Sequence, residues 1–201
     1  MESGSPSSAD LLRPRSKTVI LASASPRRQS LLALLGIDFE IVVPDVEELS
    51  EGEPAELVVE NALRKARGGR ALTTPDEVVL GVDTDVALDG ALLGKPEDPA
   101  AARASLERLA GRTHDVFSGV ALIAAGVERT ELVRTRVTFR TLTPAEIINY
   151  VAGEEWRGRA GGYAVQGLGS SLVERIDGDL SNVIGLPIPA LAKMINALQD
   201  P

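Results

Sequence analysis

The sequence predicts an α/β protein built on a mixed β-sheet flanked by helices, and three observations carry that prediction. Short apolar, β-branched runs alternate with stretches of helical apolar periodicity along the first half of the chain. Residues 113–142 instead show period-two alternation at Val133, Val137 and Phe139, which reads as two long strands turning near Gly126. No internal repeat competes with a single sheet.

The elements follow in order. Residues 1–16 are rich in Ser, Pro and Arg and lack the apolar core of an export signal, so they are expected to form a disordered tail ahead of a single domain over 17–201. The run 18–22 is a buried strand. Ser25 is a favoured N-cap and Pro26 suits the first helical position. The following helix presents Leu31, Leu32, Leu34 and Leu35 and stops at Gly36. A second strand at 38–43 is closed by Pro44, and Asp45, Glu47 and Glu48 follow as an acidic cluster. Pro54 begins a helix running to about Arg67 with Leu57, Val58, Ala62 and Ala66 inward. Residues 77–82 are a buried strand ending in Asp83-Thr84-Asp85. Asp89-Gly90 between apolar runs predicts a type I′ hairpin, which Gly94-Lys95-Pro96 ends.

Asp98 caps a helix with Pro99 at its first position, carrying Leu106 and Leu109 and stopping near Gly111. Thr143 and Glu146 form a capping box for a helix ending near Gly153. Five glycines fall in 158–169, a strand is expected at 171–176, and an amphipathic helix at 188–198 closes the chain.

Composition narrows the function. With 44% hydrophobic and 25% charged residues the chain is an ordinary globular protein. No apolar run nears the ~20 residues a membrane-spanning helix needs, so a cytoplasmic location is expected. A net charge of −8 argues against binding polymeric nucleic acid or an anionic membrane. With no cysteine and His114 as the lone histidine, disulfides, thiol chemistry and Cys/His zinc sites are excluded. Any metal must rest mainly on oxygen ligands, which points to Mg²⁺ or Mn²⁺. His114 itself reads as a packed residue rather than a catalyst.

Against this acidic background the start of the first helix is anomalous. Arg27 and Arg28 lie in the first turn, where the helix end already carries partial positive charge. A bound anion would reverse that cost, since free N–H groups, the Ser23 and Ser25 hydroxyls and two guanidiniums would converge on it. Lysine usage points the same way: only four of 21 cations are Lys. Lys65 shares a helix face with Val58 and Ala62, an unusual place for an ammonium unless it snorkels or meets a ligand, and Lys95 ends the hairpin. These cations, with Glu47, Glu48, Asp83 and Asp85, make up the inventory for hydrolysing a polyphosphate. Cations neutralise phosphate oxygens, a carboxylate-bound divalent cation bridges two of them, and a carboxylate positions water.

Several co-linear motifs resemble the Maf family: Leu-Ala-Ser-Ala-Ser-Pro-Arg-Arg at 21–28, Gly-Val-Asp-Thr at 81–84, Leu-Gly-Lys-Pro at 93–96, Leu-Ala-Gly at 109–111 with His114 and Gly119-Val120, Tyr-Ala-Val-Gln-Gly at 163–167 and Asn-Val-Ile-Gly-Leu-Pro at 182–187. The resemblance spans about residues 18–198. It implies an elongated fold with two lobes around a cleft, like that of inosine triphosphate pyrophosphatases, and hydrolysis of a nucleoside triphosphate to the monophosphate and pyrophosphate with a divalent cation. It further implies that Asp83 is the catalytic carboxylate and, with Glu48, holds the metal. Ser23, Ser25, Arg27, Arg28, Lys65 and Lys95 would then bind phosphates. Arg27, Thr84 and Gln166 resemble the marks of the subgroup acting on dTTP and UTP, a sanitising activity that extends to modified pyrimidine nucleotides. A homodimer is the family expectation. The alternatives are a purine or broad-specificity pyrophosphatase and a nucleotide-binding regulator of septum formation. Asp85 departs from the family's usual apolar residue and is expected to be an exposed edge charge rather than a second metal ligand.

Overall fold

The apolar run after Thr18 forms β1 (Val19–Leu21), fully buried, in the computed structural model, which describes residues 18–198. The expected tail at 1–16 lies outside the described residues. Pro26 opens α1 (Pro26–Leu34), and Gly36 turns the chain with φ at 66° into β2 (Phe39–Ile41). Then come α2 (Pro54–Arg70), β3 (Val78–Leu88), β4 (Ala91–Leu92), α3 (Pro99–Leu109), β5 (Thr113–Ala124), β6 (Val127–Phe139) and α4 (Pro144–Ala152). Two 3-10 turns, Ala160–Gly162 and Gly167–Leu172, lead to β7 (Val173–Asp177), α5 (Leu180–Ile184) and α6 (Ile188–Asn196). Among the described residues no helix is long and apolar enough to cross a membrane.

The strands form one sheet of order β2-β1-β3-β5-β6-β7, with β4 added beside β3. β1 is parallel to both its neighbours, whereas β3, β5, β6 and β7 are successively antiparallel. The sheet is therefore mixed, as expected. β1 pairs with β3 only at Val78, Val79 and Leu80, and β4 pairs only with Ala87 and Leu88. Between these contacts one edge of β3 has no strand beside it. The last bonds on either side are Ala22 N–H to Leu80 O and Leu93 N–H to Val86 O, so the alternation of a strand turns the peptide groups of Val82 and Thr84 into the gap.

Two cores lie on one face of β3. Val78, Leu80 and Val82 pack with Leu31, Leu32, Leu191 and Ile195. Val86 and Leu88 pack with Leu106, Leu109 and Trp156. Thr84 falls between the two sets and meets Ser118, its register partner on β5. The two cores are the two lobes, and the cleft opens where they part. On the reverse face, Ala62 and Ala66 of α2 pack on Val79, Ala121 and Ile123. That helix comes close because Gly81 and Gly119 carry no side chain. A Cβ at either would stand 2.1 Å from a backbone oxygen of α2, Ala62 O or Val58 O.

Several expectations are corrected. The strand expected to end at Val82 continues to Leu88, because β5 pairs with it through Asp83, Thr84 and Asp85. Asp83 thus sits in mid-strand, not at a strand end. Asp85 is half-buried rather than an exposed edge charge, and its carboxylate accepts from the Val86 N–H at 2.7 Å. Burial, with Asp83 nearby, raises its pKa. Leu34 is 82% exposed, so the apolar face of α1 is narrower than expected. α2 runs on to Arg70, whose guanidinium reaches the carbonyls of Glu77 and Ile123 and pins the last turn to the sheet. α5 had no clear signal in the sequence.

Candidate active site

Four loops and three regular elements converge on one cavity of about 560 Å³ at the gap beside β3, within the size range of small-molecule sites. The turn after β1 supplies Ser23 and Ser25, and α1 supplies Arg27 and Arg28. Glu48 comes from the acidic loop, Lys65 from α2, Asp83 and Thr84 from β3, Lys95 from the loop after β4, and Gln166 from the glycine-rich loop. Every site residue that the sequence singled out for catalysis, phosphate, metal or specificity therefore lines the same cavity. Glu47, Asp85 and His114 do not.

Asp83 is 8% exposed and held from α2. The Lys65 ammonium donates to its Oδ1 at 2.7 Å and to Glu48 Oε2 at 2.6 Å. Asn61, one turn before Lys65, donates to Asp83 Oδ2 at 3.3 Å. The same Asn61 accepts from the Leu49 N–H at 2.7 Å and donates to the Leu49 carbonyl at 2.9 Å, so one amide ties the acidic loop to the strand. Asn61 is the residue that sequence reasoning missed. Its signal was available: it lies on the inward face with Leu57, Val58 and Ala62, where a polar side chain needs a partner.

The opposite face of β3 has its own network. Arg28 donates to Ser23 Oγ at 2.9 Å, to the Gly185 carbonyl at 2.9 Å and to Thr84 Oγ1 at 3.4 Å, and Thr84 bonds Ser118 at 2.8 Å. Burial pushes the Arg28 guanidinium down to about 10, with Asp83 opposing and Arg27 adding to the shift, so it stays charged at neutral pH. Ser25 occupies the N-cap position but makes no side-chain capping bond, leaving the hydroxyl at the cavity wall. Burial, and Arg159 beside it, lower the Arg27 pKa.

The glycine-rich loop closes the far side. Glu155 accepts from the N–H groups of Leu168 at 3.1 Å and Gly169 at 2.8 Å and from the Tyr150 hydroxyl at 2.9 Å, which fixes the backbone that presents Gln166. The Gly161 N–H donates to the Gly94 carbonyl at 2.7 Å, linking this loop to that of Lys95. His114 sits behind it, 2% exposed, with Nε2 2.8 Å from the Tyr163 hydroxyl. Burial lowers its pKa to about 4, so it is neutral at physiological pH and serves packing, as expected.

Six cationic side chains line the cavity, Arg27, Arg28, Lys65, Lys95, Arg157 and Arg159, against the carboxylates Glu48 and Asp83. In a chain of net charge −8 this local excess of positive charge selects a small, highly anionic ligand. The fold and the cavity define an α/β protein with a cleft lined by six cationic side chains. Residues 18–198 match the family model described as Maf-like protein, and the chain belongs to that family. It is 45% identical over 178 residues to a dTTP/UTP pyrophosphatase of Deinococcus radiodurans, covering 88% of this chain and 91% of the relative. It is 46% identical over 179 residues to a dTTP/UTP pyrophosphatase of Bacillus cereus, covering 88% of each. Among solved structures, the Ham1 protein of Staphylococcus aureus is similar in fold, with a TM-score of 0.50 and 15% identity over 90% of this chain and 100% of that one.

Proposed function

We propose that this chain hydrolyses nucleoside triphosphates, dTTP, UTP and modified pyrimidine nucleotides among them, to the monophosphate and pyrophosphate, clearing the cytoplasmic nucleotide pool. The reading is carried by one observation: Asp83 and Glu48 share the Lys65 ammonium in a cavity that five further cationic side chains line. Sequence identity of about 45% to two proteins named dTTP/UTP pyrophosphatase supports the substrate class.

In the reaction, Asp83 holds the attacking water and takes its proton. The anhydride bond between the α and β phosphates breaks, the water oxygen joins the phosphorus it attacks, and the electron pair leaves with the bridging oxygen. Lys65 holds the Asp83 carboxylate in place through Oδ1 and faces the charge that develops on the phosphate. Asn61 fixes the carboxylate plane through Oδ2. Arg27, Arg28, Ser23 and Lys95 bind phosphate oxygens, and Ser25 offers its hydroxyl at the helix start. Gln166, whose amide can pair with a base edge, reads the pyrimidine, with Thr84 and Arg27 as the neighbouring specificity positions.

A divalent cation fits the donor set. Glu48 and Asp83, close enough to share one ammonium, are the carboxylates that would hold it, and Mg²⁺ commonly takes one or two together with substrate phosphate oxygens. Among the described residues no cluster of three metal-ligating side chains forms, which suits a cation that arrives with the nucleotide. When bound it supplies charge neutralisation on the phosphates.

The test is a panel of canonical and modified nucleoside triphosphates with Mg²⁺ or Mn²⁺, scoring both products. Monophosphate and pyrophosphate in equal amounts, with dTTP and UTP preferred, are expected. Diphosphate and phosphate as products would refute the reaction.

A further inference from the structure

Arg159 has no role in the reading above, yet it lines the same cavity. Its Nε and Nη1 are buried and have no hydrogen-bond partner. Guanidinium donors are strong and always charged, so two orphaned, buried ones on one half-buried side chain call for an acceptor that arrives from outside. The two carboxylates just before it in sequence are already engaged, Glu155 with Leu168, Gly169 and Tyr150 and Glu154 with Arg157. Burial lowers the Arg27 pKa, and the charge of Arg159 lowers it further. Arg27 in turn reaches across the cleft to the Gly158 carbonyl at 3.4 Å, next in sequence to Arg159. Two guanidiniums are thus held together at the meeting point of α1 and the glycine-rich loop.

We propose that Arg159 is a phosphate ligand, forming with Arg27 a two-guanidinium clamp on the pyrophosphate end of the triphosphate. A neutral base carbonyl would leave two like charges facing each other, whereas a phosphate group satisfies both and supplies acceptors for the orphaned donors. The terminal phosphates are favoured over the first because, among the described residues, Arg159 forms no hydrogen bond or ion pair with Asp83, Glu48 or Lys65, around which the bond is broken. A phosphate between the two guanidiniums adds to the Arg27–Gly158 bond that already spans the cleft, and the clamp stabilises charge on the departing pyrophosphate. The proposal rests on the reading that the substrate is a nucleoside triphosphate.

Arg159→Gln and Arg159→Lys, compared with the unaltered protein, test it by titration with inorganic pyrophosphate and separately with dTMP. Arg159→Gln is expected to weaken pyrophosphate binding about tenfold or more while dTMP affinity stays within about twofold, and Arg159→Lys to recover part of the loss. In turnover of dTTP, KM should rise and kcat fall together. Trp156, 1% exposed three residues before Arg159, reports through its emission whether the loop keeps its packing. Unchanged pyrophosphate binding in Arg159→Gln, or equal losses for pyrophosphate and dTMP, would overturn the clamp. So would a lost affinity in both variants that tracks altered Trp156 emission. If the unaltered protein binds pyrophosphate through Arg159 but turns over no triphosphate, the clamp stands and the enzymatic reading fails.

Discussion

Lys65 Nζ lies 2.7 Å from Asp83 Oδ1, with the two side chains 12% and 11% exposed. Removing either charge has unequal effects, because Glu48 also neutralises Lys65. Asp83→Asn should leave a folded protein whose turnover is down by about 10³, within the range for a positioned acid–base group. Lys65→Met leaves a carboxylate largely buried without its cation, a change that costs about 3 kcal/mol or more in stability. Urea unfolding of both variants checks the order. Greater destabilisation of Asp83→Asn would contradict the arrangement.

Asn61 spans two elements with a single amide. Asn61→Ala strips the Leu49 N–H and carbonyl of their partner and frees Asp83 Oδ2. The expected cost is about 1–3 kcal/mol. Turnover should fall by about tenfold with little change in KM, since the residue acts through Asp83. Steady-state kinetics beside a denaturant curve separates the two effects, and unchanged turnover would remove Asn61 from the site.

Gly119 sets how closely α2 approaches the sheet. Gly119→Ala places a Cβ 2.1 Å from Val58 O and 2.6 Å from Val59 Cα, both backbone atoms that cannot turn aside. Stability should drop by about 1–3 kcal/mol, and kcat should fall because the displaced helix carries Lys65 away from Asp83. Calorimetry together with kinetics tests this, and full activity at a lowered Tm would uncouple helix position from catalysis.

The His114 titration gives stability a pH dependence of known sign. Its pKa is lowered in the fold to about 4, against 6.5 for the free side chain, so the unfolded chain binds the extra proton between those values. Its contribution is fully present above about pH 6.5 and is lost as pH falls toward 4, to the extent of about 3 kcal/mol. His114→Gln keeps a hydrogen-bonding group for Tyr163 and should flatten the slope of unfolding free energy across that interval. An unchanged slope would assign the dependence to other groups.

Much of this site can be read from residue order, for identifiable reasons. The anion-binding start of α1 is local: Pro26, the preceding serines and two cations in one turn belong to one short segment. Lys65 could be singled out because an ammonium on an apolar helix face is anomalous in any fold. What escaped notice depends on partners distant in sequence. Asp83-Thr84-Asp85 reads as a break in a strand, and only the pairing with Phe117, Ser118 and Gly119 carries the strand through it. Asp85 was expected at an exposed edge, but the Val86 N–H and the neighbouring loop hold it half-buried. Arg159 is one cation among 21 in the sequence. Its unmatched donors become visible only when the glycine-rich loop is folded over Arg27.

Neighbours on one strand project to opposite sides of a sheet, and Asp83 and Thr84 do so where β3 has no strand along one edge. Asp83 answers to α2, while Thr84 answers to Arg28, Ser118 and the turn at Gly185. The two positions can therefore diverge independently during descent. On the proposed reading, a lineage can exchange Thr84 and Ser118, and with them the nucleobase accepted, while Asp83, Lys65 and Asn61 are inherited intact one residue away.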